Sequence, residues 1–349
     1  MKSLGLQPST TGAPGGKDTG QSPLHHCRRP LLIEVIRSKP MKVWWPIIAL
    51  VSLCSLGASA QEEGLPYSPQ MRDAKVEVYK TIGDVKLNLY MFNPPESAPA
   101  ATRAAIVFFF GGAWRGGSPA QFEAQCRHLA SLGMVAITAD YRVSSRHHST
   151  IADSVRDAKS AIRFVRDNAL RLGIDPQRIA AGGGSAGGHI AAAAGVIPGL
   201  DEPGENQAIS SIPNALVLFN PVVLLAPVVG DKKLTQVVTQ ELPSLAPKSG
   251  DQGPLQGVDL ASVSPWHHVS KNDPPTIILH GKADTTVPYL TVEAFAKKMR
   301  ALGNRCELSG FDGQNHGFFN YRPDGNKYYD ETLGKAEEFL ASLGYLKIN

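Results

Sequence analysis

The sequence feature that most constrains the fold is a cluster of glycines around one serine. Residues 179–189 read Ile-Ala-Ala-Gly-Gly-Gly-Ser-Ala-Gly-Gly-His, an apolar segment that leads through glycines into an alanine-rich helix pattern. Ser185 has Gly183 and Gly187 two positions to either side, where a Cβ atom would collide across a tight turn. The pattern therefore predicts a strand, a sharp turn and a helix, with the Ser185 hydroxyl held exposed on the turn.

Strand-like and helix-like segments alternate along the chain, which is typical of a mostly parallel sheet with helices on both faces. Strands are predicted at 76–79, 85–91, 104–110, 135–139, 178–181, 215–219, 276–280 and 306–311. Helices are predicted at 118–132, 151–172, 186–196, 292–302 and 329–343. The uninterrupted apolar run at 104–110 indicates a central strand that is buried on both sides. The sequence therefore predicts an α/β protein.

Residues 41–60 have the organisation of a signal peptide. Lys42 precedes an apolar run at 43–56, and Ala-Ser-Ala at 58–60 is the small-x-small pattern of a cleavage site. The run is shorter than the roughly 20 helical residues that cross a bilayer core, so no stable membrane anchor is expected. We therefore expect a secreted or periplasmic protein that is cleaved after Ala60.

Charge and composition separate this leader from the rest of the chain. Residues 1–40 lack apolar periodicity and are predicted to be disordered, or to precede a true start at Met41. Residues 1–60 carry seven Lys or Arg and two Asp or Glu, which leaves 28 basic and 29 acidic residues in a catalytic domain predicted at 61–349. A nucleic-acid-binding protein needs a clustered positive surface, so nucleic acid is not an expected partner.

Two cysteines, Cys126 and Cys306, remain after the predicted cleavage site. An exported protein can keep a disulfide, but these residues lie on a helix pattern and on a distant strand pattern, so two buried thiols are the favoured prediction. The sequence contains no CxxC pair and no His/Cys cluster with zinc spacing. Neither a metal nor another cofactor is expected.

Two further residues complete a candidate catalytic set in the chain order Ser, Asp, His. Asp284 follows the predicted strand 276–280, so its carboxylate is expected at the same sheet edge as Ser185. His316 lies in a glycine-flanked loop after the last predicted strand. In such a set the imidazole takes the proton of the serine and the carboxylate orients the imidazole. Asp312 is a reserve acid, only four residues before His316 and less easily placed to reach the far ring nitrogen.

A second glycine turn follows an early central strand. The segment Phe-Gly-Gly-Ala-Trp at 110–114 is expected to provide an oxyanion hole through the backbone N–H groups of Gly112 and Ala113, joined by that of Ala186. Removing one such donor lowers the rate by about 10²- to 10³-fold, so the hole is a necessary part of the hypothesis. Either glycine turn alone would also fit a simple tight turn.

The surroundings of the substrate are predicted from apolar residues near these motifs. Trp114, Phe318 and Phe319 are expected to border the substrate, with a position in the core as the alternative. Residues 222–270 are rich in Pro, Gly, Gln and Ser and show little periodicity, and a long irregular insertion of this kind is usually functional. We expect this insertion to form a wall of the pocket.

The motifs together resemble those of secreted α/β-hydrolase esterases, in particular the acetyl esterase/lipase group that includes carbohydrate acetyl and feruloyl esterases. They are FGGAW at 110–114, GGGSAGGH at 182–189, HGKADTTVP at 280–288 and NHGFF at 315–319. The likeness covers roughly residues 75–345 and implies the α/β-hydrolase fold. Many relatives have His and a third Gly where this chain has Phe110 and Ala113, which leaves the anchoring of that loop open.

The resemblance implies a serine esterase that hydrolyses carboxylic esters through an acyl-enzyme, with short acyl groups such as acetyl on carbohydrate. A small-molecule or carbohydrate ester is the expected partner. The alternatives within enzymes are a lipase or a serine peptidase of related fold. A hydrolase-like binding domain without catalysis is the alternative from another class. A dinucleotide fingerprint is disfavoured, because its glycines would follow the first strand of the sheet.

Overall fold

The computed structural model describes residues 67–95, 102–241 and 253–347, which form an eight-stranded sheet with helices on both faces. The strands are β1 (Lys75–Ile82), β2 (Val85–Phe92), β3 (Arg103–Phe109), β4 (Val135–Ala139), β5 (Ile174–Gly184), β6 (Ala215–Phe219), β7 (Thr276–Gly281) and β8 (Cys306–Phe311). The helices are α1 (Glu123–Ser131), α2 (Ser144–His147), α3 (Ile151–Asp167), α4 (Ala169–Leu172), α5 (Ala186–Val196), α6 (Lys232–Gln236), α7 (Pro265–His268), α8 (Tyr289–Ala301) and α9 (Lys327–Ser342). A 3₁₀ turn (Pro119–Phe122) precedes α1 and a π-helical turn (Val237–Glu241) follows α6.

The strand order is β1-β2-β4-β3-β5-β6-β7-β8. Strand β2 pairs antiparallel with both β1 and β4, and all other pairs are parallel. The chain moves from β3 outward to β4 in one direction and from β5 outward to β6 in the other. The loops that follow β3 and β5 therefore diverge, which opens a crevice where α/β sheets bind ligands. The predicted α/β architecture with a mostly parallel sheet is confirmed.

Alternate residues of the central strands face two separate apolar layers, as the period of two along a strand requires. In β3, Ala105, Val107 and Phe109 pack in the layer that contains α3, α5 and α8. Ile106 and Phe108 pack in the layer that contains α1 and α9. From Ala104 onward the strand is buried on both faces, as its uninterrupted apolar run predicts.

Some helix ends differ from the predicted ones for local reasons. The helix predicted at 151–172 is interrupted at Asn168, whose side chain turns back to donate to the Phe164 carbonyl oxygen at 2.9 Å. The last helix begins at Lys327, two residues earlier than predicted, because the Asn326 side chain caps it by accepting the Tyr328 N–H at 3.1 Å. Side chains of this type compete with or complete the backbone hydrogen bonds at helix ends.

The two cysteines lie on opposite faces of the sheet. Cys126 packs in the layer of α1 and α9, whereas Cys306 packs in the layer of α3, α5 and α8. Both are buried free thiols, and burial raises the pKa of Cys306 to about 12. The favoured prediction of two buried thiols is confirmed.

The insertion predicted at 222–270 lies partly within the described residues. Val222, Val223 and Val263 are buried in the main core, and the Trp266 N–H donates to the Val223 carbonyl oxygen at 2.8 Å. The described part of the insertion therefore packs against the body of the protein and carries the short helices α6 and α7. Its role as a pocket wall stays a prediction.

The predictions for the leader fall on residues 1–40 and 41–60, which lie outside the described residues. Of the helices that the structure does describe, none has both the length and the apolar character needed to span a membrane.

Leu218 provides a test of the core, because its side chain is fully buried in β6. Leu218→Ala is expected to lower the free energy of unfolding by about 2–5 kcal/mol through lost burial and the cavity left behind. Leu170→Ala is the matched control, since Leu170 is 90% exposed, and it is expected to change stability by less than about 0.5 kcal/mol. Urea unfolding measures both, and equal effects of the two substitutions would contradict the described core.

Candidate active site

Ser185 lies on a tight turn that requires glycine two positions before it and two positions after it. It lies between β5 and α5 with φ 54° and ψ −118°, a strained conformation for a residue with a Cβ atom. A Cβ atom on Gly183 would lie 2.5 Å from the Phe109 carbonyl oxygen, and one on Gly187 would lie 2.0 Å from the same oxygen. The predicted steric need for glycine at both positions is confirmed, and it arises where the turn presses against the end of β3.

The structure brings the three predicted catalytic side chains together at one sheet edge. His316 Nε2 lies 2.9 Å from Ser185 Oγ, and His316 Nδ1 lies 2.7 Å from Asp284 Oδ2. Ser185 follows β5, Asp284 follows β7 and His316 follows β8, so their convergence depends on the parallel order of these strands. With the Nδ1–H donating to the carboxylate, Nε2 is free to accept the hydroxyl proton.

Asp284 is held in a fixed orientation by four groups. Its Oδ1 accepts the backbone N–H groups of Thr286 at 2.9 Å and Val287 at 2.8 Å, and its Oδ2 contacts His280 Nε2 at 3.2 Å as well as His316. Burial raises the pKa of Asp284, but hydrogen bonds from His280, His316 and the Val287 N–H outweigh it and hold the pKa well below its usual range. The carboxylate is therefore charged and preorganised.

His280 was missed by sequence reasoning, although a polar residue at the end of a buried strand is a usable signal. Its ring is fully buried, and Nε2 also lies 2.8 Å from the Val287 carbonyl oxygen. The reserve acid, Asp312, has a different environment. Its side chain is 89% exposed and its Oδ1 pairs with Lys282 Nζ at 2.8 Å, so it faces solvent rather than His316.

The segment after β3 folds into a strained loop, here called the oxyanion loop (residues 110–117). Gly112, Ala113 and Trp114 have φ values of 122°, 53° and 58°, all in the left-handed region. The Gly112 carbonyl oxygen accepts the N–H groups of Arg115 and Gly116, which closes the turn. Within the described residues, the N–H groups of Gly112, Ala113 and Ala186 donate to no other protein group. Their role as oxyanion donors stays a prediction.

Anchoring of the oxyanion loop depends on residues that the sequence motifs do not reveal. The Gly111 N–H donates to Gln121 Oε1 at 2.6 Å, and Gln121 Nε2 donates to Asn320 Oδ1 at 3.0 Å in the loop that carries the candidate base. Phe110 stacks on Tyr141 with ring centroids 4.2 Å apart, and the Tyr141 hydroxyl donates to the Phe110 carbonyl oxygen at 2.8 Å. Phe110 is thus a core anchor in the place where many relatives have His.

The structure corrects the expectation that Trp114 and Phe318 border the substrate. The Trp114 side chain is fully buried, and its indole Nε1 lies 3.2 Å from His189 Nδ1. Phe318 is only 6% exposed and packs against Phe311 and Tyr328. Phe319, expected to border the substrate as well, is only 1% exposed. All three residues belong to sequence motifs, but their side chains are buried in the core.

Among the described residues, no group of three or more His, Cys, Asp or Glu side chains is arranged to hold a metal ion. The chemistry available at this site is that of an activated serine next to backbone donors.

Comparison with protein families identifies the chain. Residues 88–299, more than half of the sequence, match the BD-FAE family. The chain belongs to the BD-FAE family. Residues 261–342, which include two of the candidate catalytic residues, also match the dienelactone hydrolase family.

Solved structures similar to this BD-FAE protein include Thermogutta terrifontis esterase 2. Its apo form is 48% identical, covers 82% of this chain and 100% of its own, and superposes with a TM-score of 0.72. Its butyrate-bound form is 49% identical, with 82% and 99% coverage and a TM-score of 0.73. The expected α/β-hydrolase fold and the resemblance to esterases of that fold are confirmed.

Curated relatives of this BD-FAE protein include a probable carboxylic ester hydrolase of Mycobacterium tuberculosis, LipM. It is 28% identical over 228 residues, which cover 62% of this chain and 50% of the relative. The chain thus spans about half the length of the curated relatives it matches.

The turn at Ser185 leads to a prediction about stability. Gly187→Ala is expected to lower the free energy of unfolding by more than about 2 kcal/mol, because the new Cβ would meet backbone atoms that cannot move aside. Gly334→Ala in α9 is the matched control: a Cβ there meets nothing within 4 Å, and the change is expected to be neutral or to stabilise by up to about 1 kcal/mol. Urea unfolding compares the two, and a stable Gly187→Ala protein would contradict the described contact.

Proposed function

We propose that this protein is a serine carboxylic-ester hydrolase that acts through an acyl-enzyme on Ser185. The observation that carries the proposal is the continuous line of hydrogen bonds from Ser185 Oγ through the His316 ring to Asp284. It lies next to backbone N–H groups that donate to no protein group in the described part of the chain. Such a line makes a serine hydroxyl nucleophilic near neutral pH. Family membership and the esterases of the same fold support the same reaction class.

Acylation begins when His316 Nε2 takes the proton of Ser185 as Oγ bonds to the ester carbonyl carbon. The carbonyl oxygen becomes negative and accepts hydrogen bonds from the N–H groups of Gly112, Ala113 and Ala186. The His316 imidazolium then gives its proton to the alkoxy oxygen, the carbon–oxygen bond breaks and the alcohol leaves. Ser185 is left as an acyl ester.

Deacylation repeats these steps with water. His316 takes a proton from water as the water oxygen bonds to the acyl carbon, and the same N–H groups stabilise the second oxyanion. The imidazolium then returns its proton to Ser185 Oγ as the bond between Oγ and the acyl carbon breaks, which releases the carboxylic acid. Asp284 remains charged throughout, since hydrogen bonds hold its pKa well below its usual range, and its charge stabilises each imidazolium.

The proposed substrates carry short acyl groups such as acetyl. Thermogutta terrifontis esterase 2, at 47–49% identity, has structures with propionate bound and with butyrate bound, and others in which it is phosphorylated by paraoxon or phosphonylated by sarin. The propionate and butyrate complexes support a small acyl site. The adducts with paraoxon and sarin support a reactive nucleophile. The proposed carbohydrate alcohol rests on the likeness of the sequence motifs to carbohydrate acetyl and feruloyl esterases.

Substitution of the three side chains tests the mechanism. Ser185→Ala is expected to abolish hydrolysis of p-nitrophenyl acetate and labelling by a fluorophosphonate probe. Asp284→Asn is expected to lower kcat by about 10⁴-fold because the imidazole loses its orienting charge. Asp312→Asn is the matched control and is expected to leave kcat unchanged, since Asp312 faces solvent. Activity retained in Ser185→Ala would end the proposal, and a wild-type protein that neither turns over nor labels would favour a binding domain.

The acyl preference is tested with p-nitrophenyl acetate, butyrate, octanoate and palmitate. We expect kcat/KM to be highest for acetate or butyrate and to be at least about tenfold lower for palmitate, because a small pocket excludes long chains. Acetate release from acetylated xylan, measured in parallel, tests the sugar alcohol. A kcat/KM that rises with chain length would favour a lipase instead.

A further inference from the structure

Helix α5 carries one polar side chain within its apolar sequence, that of His189. The ring is fully buried one turn after Ser185, whose carbonyl oxygen accepts the His189 N–H at 2.9 Å. His189 Nδ1 lies 3.2 Å from the indole Nε1 of Trp114, and Nε2 lies 2.7 Å from the Val263 carbonyl oxygen. His189 therefore joins three segments: the helix behind the nucleophile, the oxyanion loop and the insertion.

The two partners determine where the ring carries its proton. An indole N–H only donates and a carbonyl oxygen only accepts, so Nδ1 accepts from Trp114 and Nε2 donates to Val263. In a doubly protonated ring, the Nδ1–H would point at the indole N–H of Trp114, and two donors cannot form a hydrogen bond. Burial lowers the pKa of His189 to about 4, which agrees with a neutral ring. Both nitrogens are satisfied only in this one state.

The loop that this hydrogen bond holds is under backbone strain. Ala113 and Trp114 are non-glycine residues with φ values of 53° and 58°, a conformation that persists only when the surroundings enforce it. The Trp114 carbonyl oxygen accepts the Ser144 N–H at 2.9 Å, so Trp114 is held at its backbone and at its indole. Ala113, whose N–H is a predicted oxyanion donor, directly precedes Trp114 in this strained stretch.

We propose that His189 is a positioning residue of the oxyanion hole, which keeps the Ala113 N–H directed at the nucleophile by accepting the Trp114 indole N–H. The inference rests on the proposed ester hydrolysis and adds a residue to it. A role in packing alone would need only an apolar side chain of similar volume. Here both ring nitrogens have partners of matching type, and one partner belongs to the strained loop.

Substitutions separate the two nitrogens of His189. His189→Asn keeps an acceptor near the position of Nδ1, His189→Gln keeps a donor near the position of Nε2, and His189→Leu keeps neither. For p-nitrophenyl acetate, kcat/KM is expected to fall by about 10- to 100-fold in the Gln and Leu variants and by less than about fivefold in the Asn variant. Asn and Gln substitutions of His128, a partly exposed residue of α1 that pairs with Glu337, are the controls and are expected to have no effect.

Trp114→Phe removes the donor from the same contact. It is expected to lower kcat/KM as much as His189→Gln does, and the double variant is expected to fall no further, because both changes break one interaction. The affinity of an alkylboronic acid, whose adduct with Ser185 Oγ places an oxygen in the hole, is expected to fall by the same factor while KM changes by less than about twofold. If His189 had only a structural role, the affinity of the boronic acid and kcat/KM would not fall by the same factor.

Equal activity of the Asn and Gln variants would overturn the positioning role. Losses of activity that follow only the loss of stability would overturn it as well.

The Trp114 indole N–H offers a readout that needs no turnover. Its exchange with deuterium, followed by NMR, is expected to be slow in the wild type and His189→Asn and fast in His189→Gln. Fast exchange in the wild type would overturn the contact itself. A wild-type protein that hydrolyses no ester would instead refute the proposed function, so the two failures are distinguishable.

Discussion

The candidate site depends on one steric constraint, the close approach of the turn at Ser185 to the end of β3. Gly183 and Gly187 lie so near the Phe109 carbonyl oxygen that neither position has room for a Cβ atom. This approach places the first turn of α5 directly beside the loop that leaves β3. As a result, Ser185 and the candidate N–H donors of the oxyanion loop share one crevice, at the point where the chain reverses its direction across the sheet.

A second constraint is electrostatic and concerns the buried acid. Asp284 loses water on burial, and two backbone N–H groups and two imidazoles replace that water. The carboxylate is therefore charged before any substrate arrives. In the proposed mechanism, no solvent then has to reorganise around it as positive charge forms on His316. The backbone donors come from the loop 284–287 itself, so the local chain conformation, rather than a distant contact, sets the direction of the acid.

The sequence predicts those parts of the fold and site that depend on local pattern. The sheet, the glycine turn at Ser185 and the order of Ser185, Asp284 and His316 follow from periodicity, glycine placement and strand order. Side-chain environments that depend on tertiary packing do not follow from these local patterns. Trp114 and Phe318 belong to the motifs, yet their rings lie in the core. The contact of Gln121 with Asn320 joins segments that only the fold brings together.

The insertion between β6 and β7 leaves and re-enters the sheet at neighbouring parallel strands, whose register is set by their own pairing. Its described residues contribute no member of the Ser185, His316 and Asp284 set, which lies on other loops. A change in this segment that keeps its buried residues Val222, Val223 and Val263 therefore leaves the reacting atoms in place. With the insertion as the predicted pocket wall, its remaining residues can change substrate selectivity without changing the groups that cleave the bond.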